Sequence, residues 1–375
     1  MTRWVRTREE LRGLVTSLKG GTALALDSES DGLHHHVEKV CLIQLAGQDG
    51  RCWLVDPLAC ADLAPLGELL ADPAITKVLH GADYDVSTLK RDFGFGFENI
   101  FDTMIAARFL GRAEFGLRAV AAAELGVVLS KESQKDDWSR RPLTPLQEEY
   151  AAADVRHLLP LHARLEAQLR EKGRLPWVQE ECRAVAELEP SGRRDGSGAF
   201  LRLKGARRLS PRGLAVLREL CAWREARAEE TDVPVFKIIG TTVLLELAER
   251  APSRARDVLR VRGLSRLARA RADELAAAIR CGQALPESEH PSFPRSPRPV
   301  IPDDVKRRIA ALRAWRQEQA RALELDVAVV LPQRLLEQVA KLRAAAVDDL
   351  DAVEGLRRWR VQAFGPALVK VLREL

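Results

Sequence analysis

The sequence predicts an α/β domain followed by two small all-α domains. Three observations carry that expectation. Strand-like and helix-like segments alternate over roughly the first 170 residues, Leu/Ala/Arg-rich helical segments replace them from about residue 205, and the helical part repeats itself about 92 positions further on. Alternation of the first kind is the pattern of an α/β fold, and ordered matches at one offset mark a duplicated unit. A chain of 375 residues has room for two or three domains at ~100–200 residues each.

The elements of the front part can be read in order. Residues 22–29 form an apolar run ending in acid, residues 40–46 are rich in branched apolar side chains, and a Gly47-Gln48-Asp49-Gly50 turn leads into residues 52–56. Short runs joined by Gly/Asp turns predict strands with an antiparallel start. After Pro57, Leu63, Leu66, Leu69 and Leu70 fall at helical spacing, and Lys77-Val78-Leu79-His80 predicts the next strand. Thr144-Pro145-Leu146-Gln147 supplies an N-cap, a first-position proline and a capping-box glutamine, so a helix starts there. Pro160 is expected to end or kink it.

In the back part, Trp223-Arg224 matches Trp315-Arg316 and Val261-Arg262-Gly263-Leu264 matches Val353-Glu354-Gly355-Leu356, both 92 apart; Leu244-Leu245-Glu246 matches Leu335-Leu336-Glu337 at 91. Pairing Asp232-Val233-Pro234 with Asp326-Val327-Ala328 implies a two-residue insertion in the second copy. Residues 189–198 are polar and Gly-rich, and residues 286–300 are Pro-rich, the composition of a stiff extended linker. The expected organisation is therefore an α/β domain over 1–190, a helical domain over 205–285, a linker over 286–300 and a second helical domain over 301–375.

The net charge of +5 divides unevenly. Residues 1–170 carry 20 Lys+Arg against 25 Asp+Glu, and residues 171–375 carry 39 against 29. A basic back half suits an anionic partner. No signal peptide is visible in the opening residues, and no apolar stretch approaches the ~18–20 residues of a membrane span. The six cysteines form no CxxC pair, which fits a reducing cytoplasm and argues against a zinc site or disulfide framework.

Four acids stand out. Asp27 and Glu29 lie two apart at a strand end, so both side chains share one face. Asp85 follows a strand-to-helix turn at His80-Gly81, where Asp83 is the expected helix cap. Tyr150 and Asp154 are four apart on a well-signalled helix and so lie one turn apart on one face. Each group alone has an ordinary explanation: a solvated strand end, a capped helix, a half-buried Tyr–Asp pair. Converging at one sheet edge, four carboxylates can hold two divalent ions for in-line attack on a phosphodiester. A phenol with reference pKa ~10 would then position a water rather than deprotonate it.

Asp27-x-Glu29, His80-Gly81-x-x-x-Asp85 and Tyr150-x-x-x-Asp154 resemble the three exonuclease motifs of the DEDD superfamily, in its DEDDy branch. Val40-Cys41-Leu42-Ile43-Gln44, Phe101-Asp102-Thr103 and Asp137-Trp138-Ser139-x-Arg141-Pro142-Leu143 are similar to segments of the RNase D family. The two helical copies resemble HRDC domains, so the likeness spans nearly the whole chain. It implies a ribonuclease H-like exonuclease domain, a mixed sheet flanked by helices, followed by two small all-α HRDC-like domains. It further implies a cytoplasmic 3′→5′ exoribonuclease that releases 5′-phosphomonoesters and matures the 3′ ends of tRNA precursors and other small structured RNAs. Two Mg²⁺, or Mn²⁺, would be held by Asp27, Glu29, Asp85 and Asp154, with Tyr150 as the fifth catalytic residue. His80, Gln44, Trp138 and Arg141 are candidates for substrate contact or support.

The alternatives are a 3′→5′ DNA exonuclease on the same site and a catalytically silent RNA-binding scaffold. No obligate protein partner is evident. His34-His35-His36 is expected as a loop or strand edge near the first motif, Asp102 as a helix cap, and Phe93, Phe95, Phe97 and Phe101 as core. Trp223, Trp315 and Trp359 are expected in the helical cores. The expected RNA contacts are the basic clusters Arg202/Lys204/Arg207/Arg208 and Arg357/Arg358/Arg360. On that division, deleting residues 205–375 should weaken tRNA binding more than it slows cleavage of a short oligonucleotide.

Overall fold

The computed structural model describes residues 2–130, 132–190, 198–294 and 301–374. The front part is a mixed six-stranded sheet in the order β1-β4-β3-β2-β5-β6. Its strands are β1 (Thr2–Val5), β2 (Ala23–Ser30), β3 (Val40–Gly47), β4 (Cys52–Val55), β5 (Thr76–Leu79) and β6 (Ile100–Asp102). β3 runs antiparallel to β4, while β1–β4, β2–β5 and β5–β6 are parallel. The helices are α1 (Arg8–Leu18), α2 (Ala64–Ala71), α3 (Asp83–Phe93), α4 (Thr103–Phe109), α5 (Leu117–Leu125), α6 (Pro145–Arg156), α7 (Leu158–Glu171) and α8 (Leu175–Ala186).

β1 and α1 lie ahead of the first strand read from the sequence. α1 is nevertheless well signalled: Thr7 and Glu10 form a capping box, and Leu11, Leu14, Val15 and Leu18 are its buried stripe. The Thr144–Gln147 capping box forms as expected. Pro160 does not kink α6. The chain breaks earlier, at His157, and Pro160 sits in the first turn of α7, where its missing N–H leaves no bond unmade.

The first helical copy comprises α9 (Pro211–Thr231), α10 (Val235–Ile238), α11 (Thr241–Arg250), α12 (Ala255–Val258), α13 (Arg266–Ala270) and α14 (Ala272–Ala284). The second comprises α15 (Asp303–Leu323), α16 (Val327–Val330), α17 (Gln333–Lys341) and α18 (Arg358–Arg373). Asp232 and Glu324 each close a long helix in the left-handed region, at φ 46° and 53°. Glu324 is therefore the counterpart of Asp232, and the offset is 92 with no insertion. Buried Leu244, Leu247 and Ala248 correspond to buried Leu336, Val339 and Ala340 at the same spacing, so the match at 91 is a one-residue coincidence.

The two copies have different cores. The first, with Phe200 and Ala206 ahead of it, forms a self-contained cluster that includes Leu217, Leu244, Val258 and Leu275. It belongs to a unit of residues 30–39 and 191–298, while residues 1–29, 40–190 and 299–375 form the other unit. The second copy shares one continuous core with the α/β domain. Trp177 of α8 stacks on Trp359 at 4.6 Å, with Phe109 and Phe364 against the same rings. Glu180 accepts hydrogen bonds from the Arg358 and Trp359 amides at the start of α18. Glu181 accepts from Trp359 Nε1 and from Arg360 Nη1 at 2.6 Å.

These contacts correct two expectations. Arg360 is 5% exposed and Arg357 pairs with Glu181, so these two hold the fold together instead of facing RNA, while the Arg358 side chain is exposed. Deleting 205–375 would remove part of the α/β domain's own core and cannot separate docking from cleavage. The linker segments fall partly outside the described residues. Of the Pro-rich one, Glu287–Glu289 form a 3₁₀ turn and Phe293 packs against the first copy's core, so this part is folded and not extended.

Candidate active site

β2 carries Asp27 and Glu29, α3 carries Asp85 in its first turn, and α6 carries Tyr150 and Asp154. All five line one cavity of about 930 Å³. Asp27, Glu29 and Asp154 each offer a carboxylate oxygen within 4.8 Å of the others. Asp85 is buried beside them and accepts a hydrogen bond from Ser28 Oγ at 2.5 Å.

The electrostatics follow from this packing. Burial, then repulsion from Asp85, Asp154 and Glu29, holds the Asp27 carboxyl well above its ordinary range. Glu29 is raised for the same reasons. Burial pushes Asp85 up to about 7 against the opposing Ser28 bond and Asp154 to about 6 against the Tyr150 bond. A cluster of hard oxygen donors that resists ionising together is one that a divalent cation relieves. The donor set therefore fits a hard divalent cation.

Tyr150 is raised far above its usual range by burial and by Asp154 and Glu29, so its phenol stays protonated and donates to Asp154. Trp138, 1% exposed, backs it with ring centroids 6.0 Å apart. Arg141 lies behind that pair. It makes a two-pronged ion pair with Asp56, at 2.6 and 2.9 Å, and donates to the Cys41 and Trp138 carbonyls. Gln44 is fully buried in β3. Neither Arg141 nor Gln44 lines the cavity.

His80 lines the cavity. Its Nδ1 lies 2.9 Å from Thr103 Oγ1, whose own proton goes to the Leu79 carbonyl. Nδ1 therefore carries the imidazole proton, and burial keeps the ring neutral.

Asp102 does more than cap α4. Its carboxylate takes Met104 N, Gly81 N and Ala82 N at 2.7, 3.0 and 2.8 Å. The lead-in to α3 is thus held from a neighbouring strand. Asp83 is the first residue of α3 and not its cap. Sequence reading missed this double role, because a single Asp-Thr dipeptide signals only the nearer helix. Phe95, Phe97 and Phe101 are buried and Phe93 is partly so, as expected. His35 and His36 engage Asp232, and His36 also Glu225.

A family model described as "3'-5' exonuclease" matches residues 2–170, and one described as "HRDC domain" matches residues 213–279 and 305–372. A curated protein named Ribonuclease D from Pseudomonas paraeruginosa is 33% identical over 98% of this chain and 97% of its own length. The chain belongs to the ribonuclease D family. A second Ribonuclease D, from Granulibacter bethesdensis, is 34% identical over 95% of this chain and 89% of its own length. Among solved structures, the Escherichia coli RNase D, titled an exoribonuclease involved in structured RNA processing, superposes with a TM-score of 0.73 at 27% identity, covering 100% of this chain and 99% of that one.

Membership makes this chain a 3′→5′ exoribonuclease with HRDC domains. Both the family resemblance and the fold read from the sequence are borne out. The ribonuclease D relatives do not favour the DNA exonuclease alternative, and the silent scaffold is set aside. The exonuclease fold of this family depends on divalent metal. Among the described residues no helix is long and apolar enough to cross a membrane.

Proposed function

We propose that this ribonuclease D removes 3′-terminal nucleotides from tRNA precursors and other small structured RNAs in the cytoplasm, releasing 5′-phosphomonoesters. The observation that carries the reading is the meeting of Asp27, Glu29, Asp85, Tyr150 and Asp154 in one cavity. The four carboxylates would hold two Mg²⁺, or Mn²⁺. Bound there, the ions supply Lewis acidity and positive charge to a phosphodiester and to the water that attacks it.

The protein's own groups divide the remaining work. Tyr150 holds its proton and orients the water through its hydroxyl. Trp138 fixes the Tyr150 ring, and Arg141 fixes Trp138. Asp102 holds the backbone that presents Asp85. Domain limits of 1–190, 205–285 and 301–375, joined by a linker over 286–300, fit this division. The first copy, with Arg202, Lys204, Arg207 and Arg208 exposed ahead of it, is the better candidate to meet RNA phosphates.

The test is direct. 3′-extended tRNA, single-stranded RNA and single-stranded DNA of matched length are incubated with Mg²⁺, Mn²⁺ or EDTA, beside Asp27→Asn. Stepwise shortening of RNA that vanishes in EDTA and in the variant is expected. DNA digested faster than RNA would overturn the reading.

A further inference from the structure

The catalytic cavity adjoins a second one. Ala113 and Phe115 line both. The second cavity, about 560 Å³, lies between the α4–α5 connection and the end of α15, inside the shared-core unit. Its size is that of a small-ligand pocket, about 300–1,000 Å³.

The walls are fixed. Arg174 donates to the Phe109 carbonyl at 2.9 Å and to the Leu323 carbonyl at 2.6 Å, tying the end of α4 to the end of α15. Gly111 sits at φ 80° against the Glu324 carbonyl, with no room for a Cβ. On this rigid frame Phe115 is 41% exposed, with the Arg108 guanidinium 5.5 Å from its ring centroid. Arg321 stands on the opposite wall. Neither arginine has a carboxylate partner among the described residues. Two acids share this wall: the Asp326 carboxylate accepts from the Ala328 amide at 2.7 Å, and that of Glu324 pairs with Lys172 at 3.9 Å.

We infer that this second cavity is an upstream nucleotide subsite. Single-stranded RNA leaving the catalytic cavity places a base on the Phe115 ring and its phosphates beside Arg108 and Arg321. An exposed aromatic face flanked by unpaired cations is the chemistry that holds single strands without reading sequence. Adjacency to the catalytic cavity selects the occupant, because Phe115 lines both and so lies within reach of a strand whose 3′ end sits at the four acids. The inference rests on the exoribonuclease reading and adds to it a binding site for the nucleotides 5′ of the cleaved bond.

The test compares kcat/KM on an RNA dinucleotide with that on an eight-nucleotide single-stranded RNA, using the full chain and Mg²⁺. Phe115→Ala should lower the octamer-to-dinucleotide ratio about tenfold, the scale of one lost stacking contact, and Phe115→Trp should restore it. Arg321→Glu should lower the octamer kcat/KM and flatten its dependence on log salt by about 0.7, the loss of one phosphate contact to a single strand. An unchanged ratio in Phe115→Ala, or an unchanged salt slope in Arg321→Glu, overturns the subsite alone. Failure of the unmodified protein to shorten either RNA overturns both the subsite and the exoribonuclease reading.

Discussion

The two helical copies are the same fold laid down twice, 92 residues apart, with opposite fates. The first closes its own core. The second is part of the catalytic domain's core. The difference shows at a few positions of α18 and of its counterpart, α13 and the start of α14. Where the second copy has Trp359, Arg360 and Phe364, the first has Leu267, Ala268 and Ala272. Large aromatics with a polar handle bury much surface and still bond across a seam. A leucine and two alanines at the same sites carry no such handle, and that copy closes on itself. In the second copy Trp359 and Arg360, bonded by Glu181 of α8, and Phe364 stand where that copy joins the catalytic core.

Four variants probe this contrast, from the largest expected effect to the smallest. Glu181→Ala strands the buried Arg360 guanidinium and should cost about 3–5 kcal/mol, read as a drop in the urea midpoint. Because the core is shared, RNA shortening should fall with it. Full stability in this variant would show that the second copy is merely appended.

Asp85→Asn removes an acid whose folded pKa is about 7 while the unfolded value is ~3.9. Between those values the folded state binds more protons, so the metal-free protein loses stability as pH rises from about 4 to 7 and stays weakened above that. The variant should show a shallower slope, the rest of which belongs to Asp27, Glu29 and Asp154, and gain on the order of 2–4 kcal/mol at neutral pH without metal, while losing activity. The gain should appear in the transition of the shared core and not in that of the first copy. Excess Mg²⁺ should reverse the ranking by binding only the unmodified site. Identical pH profiles for the two proteins would refute the electrostatic account.

Gly111→Ala puts a side chain at positive φ against the Glu324 carbonyl and should cost about 1–3 kcal/mol. Thermal unfolding with and without urea would detect it. A neutral result would mean that this approach is loose. In the first copy, Glu274 accepts from Trp223 Nε1 at 2.8 Å and pairs with Arg271, but is well exposed. Glu274→Ala should cost about 1 kcal/mol or less and leave dinucleotide cleavage unchanged. A loss as large as that of Glu181→Ala would erase the distinction between the copies.

Much of this was legible in the chain itself. The Asp27-x-Glu29 strand end, the Thr144 capping box and the Tyr150/Asp154 spacing are local patterns, and local patterns survive folding. The seam was not legible. Arg357 and Arg360 read as RNA contacts because their partner Glu181 lies 179 residues from Arg360, and no local rule joins them. Asp102 capping α3 from β6 is the same case over a shorter distance. Arg141 read equally well as a substrate contact until Asp56, 85 residues away, engaged it. Phe115 left only a faint trace, one aromatic in a polar Arg112-Ala113-Glu114-Phe115-Gly116 stretch between two helices.

The shared core also sets a timetable for biosynthesis. The sheet and its helices are made by Ala186, but α18, which completes their packing, begins only at Arg358. Residues 191–357 must be translated in between, roughly ten to thirty seconds at ~5–20 residues per second. For that interval the apolar face awaiting Trp359 and Phe364 stands open, while the first copy can fold on its own as it emerges. A nascent chain stalled before α18 would therefore carry a folded helical module and an unfinished nuclease.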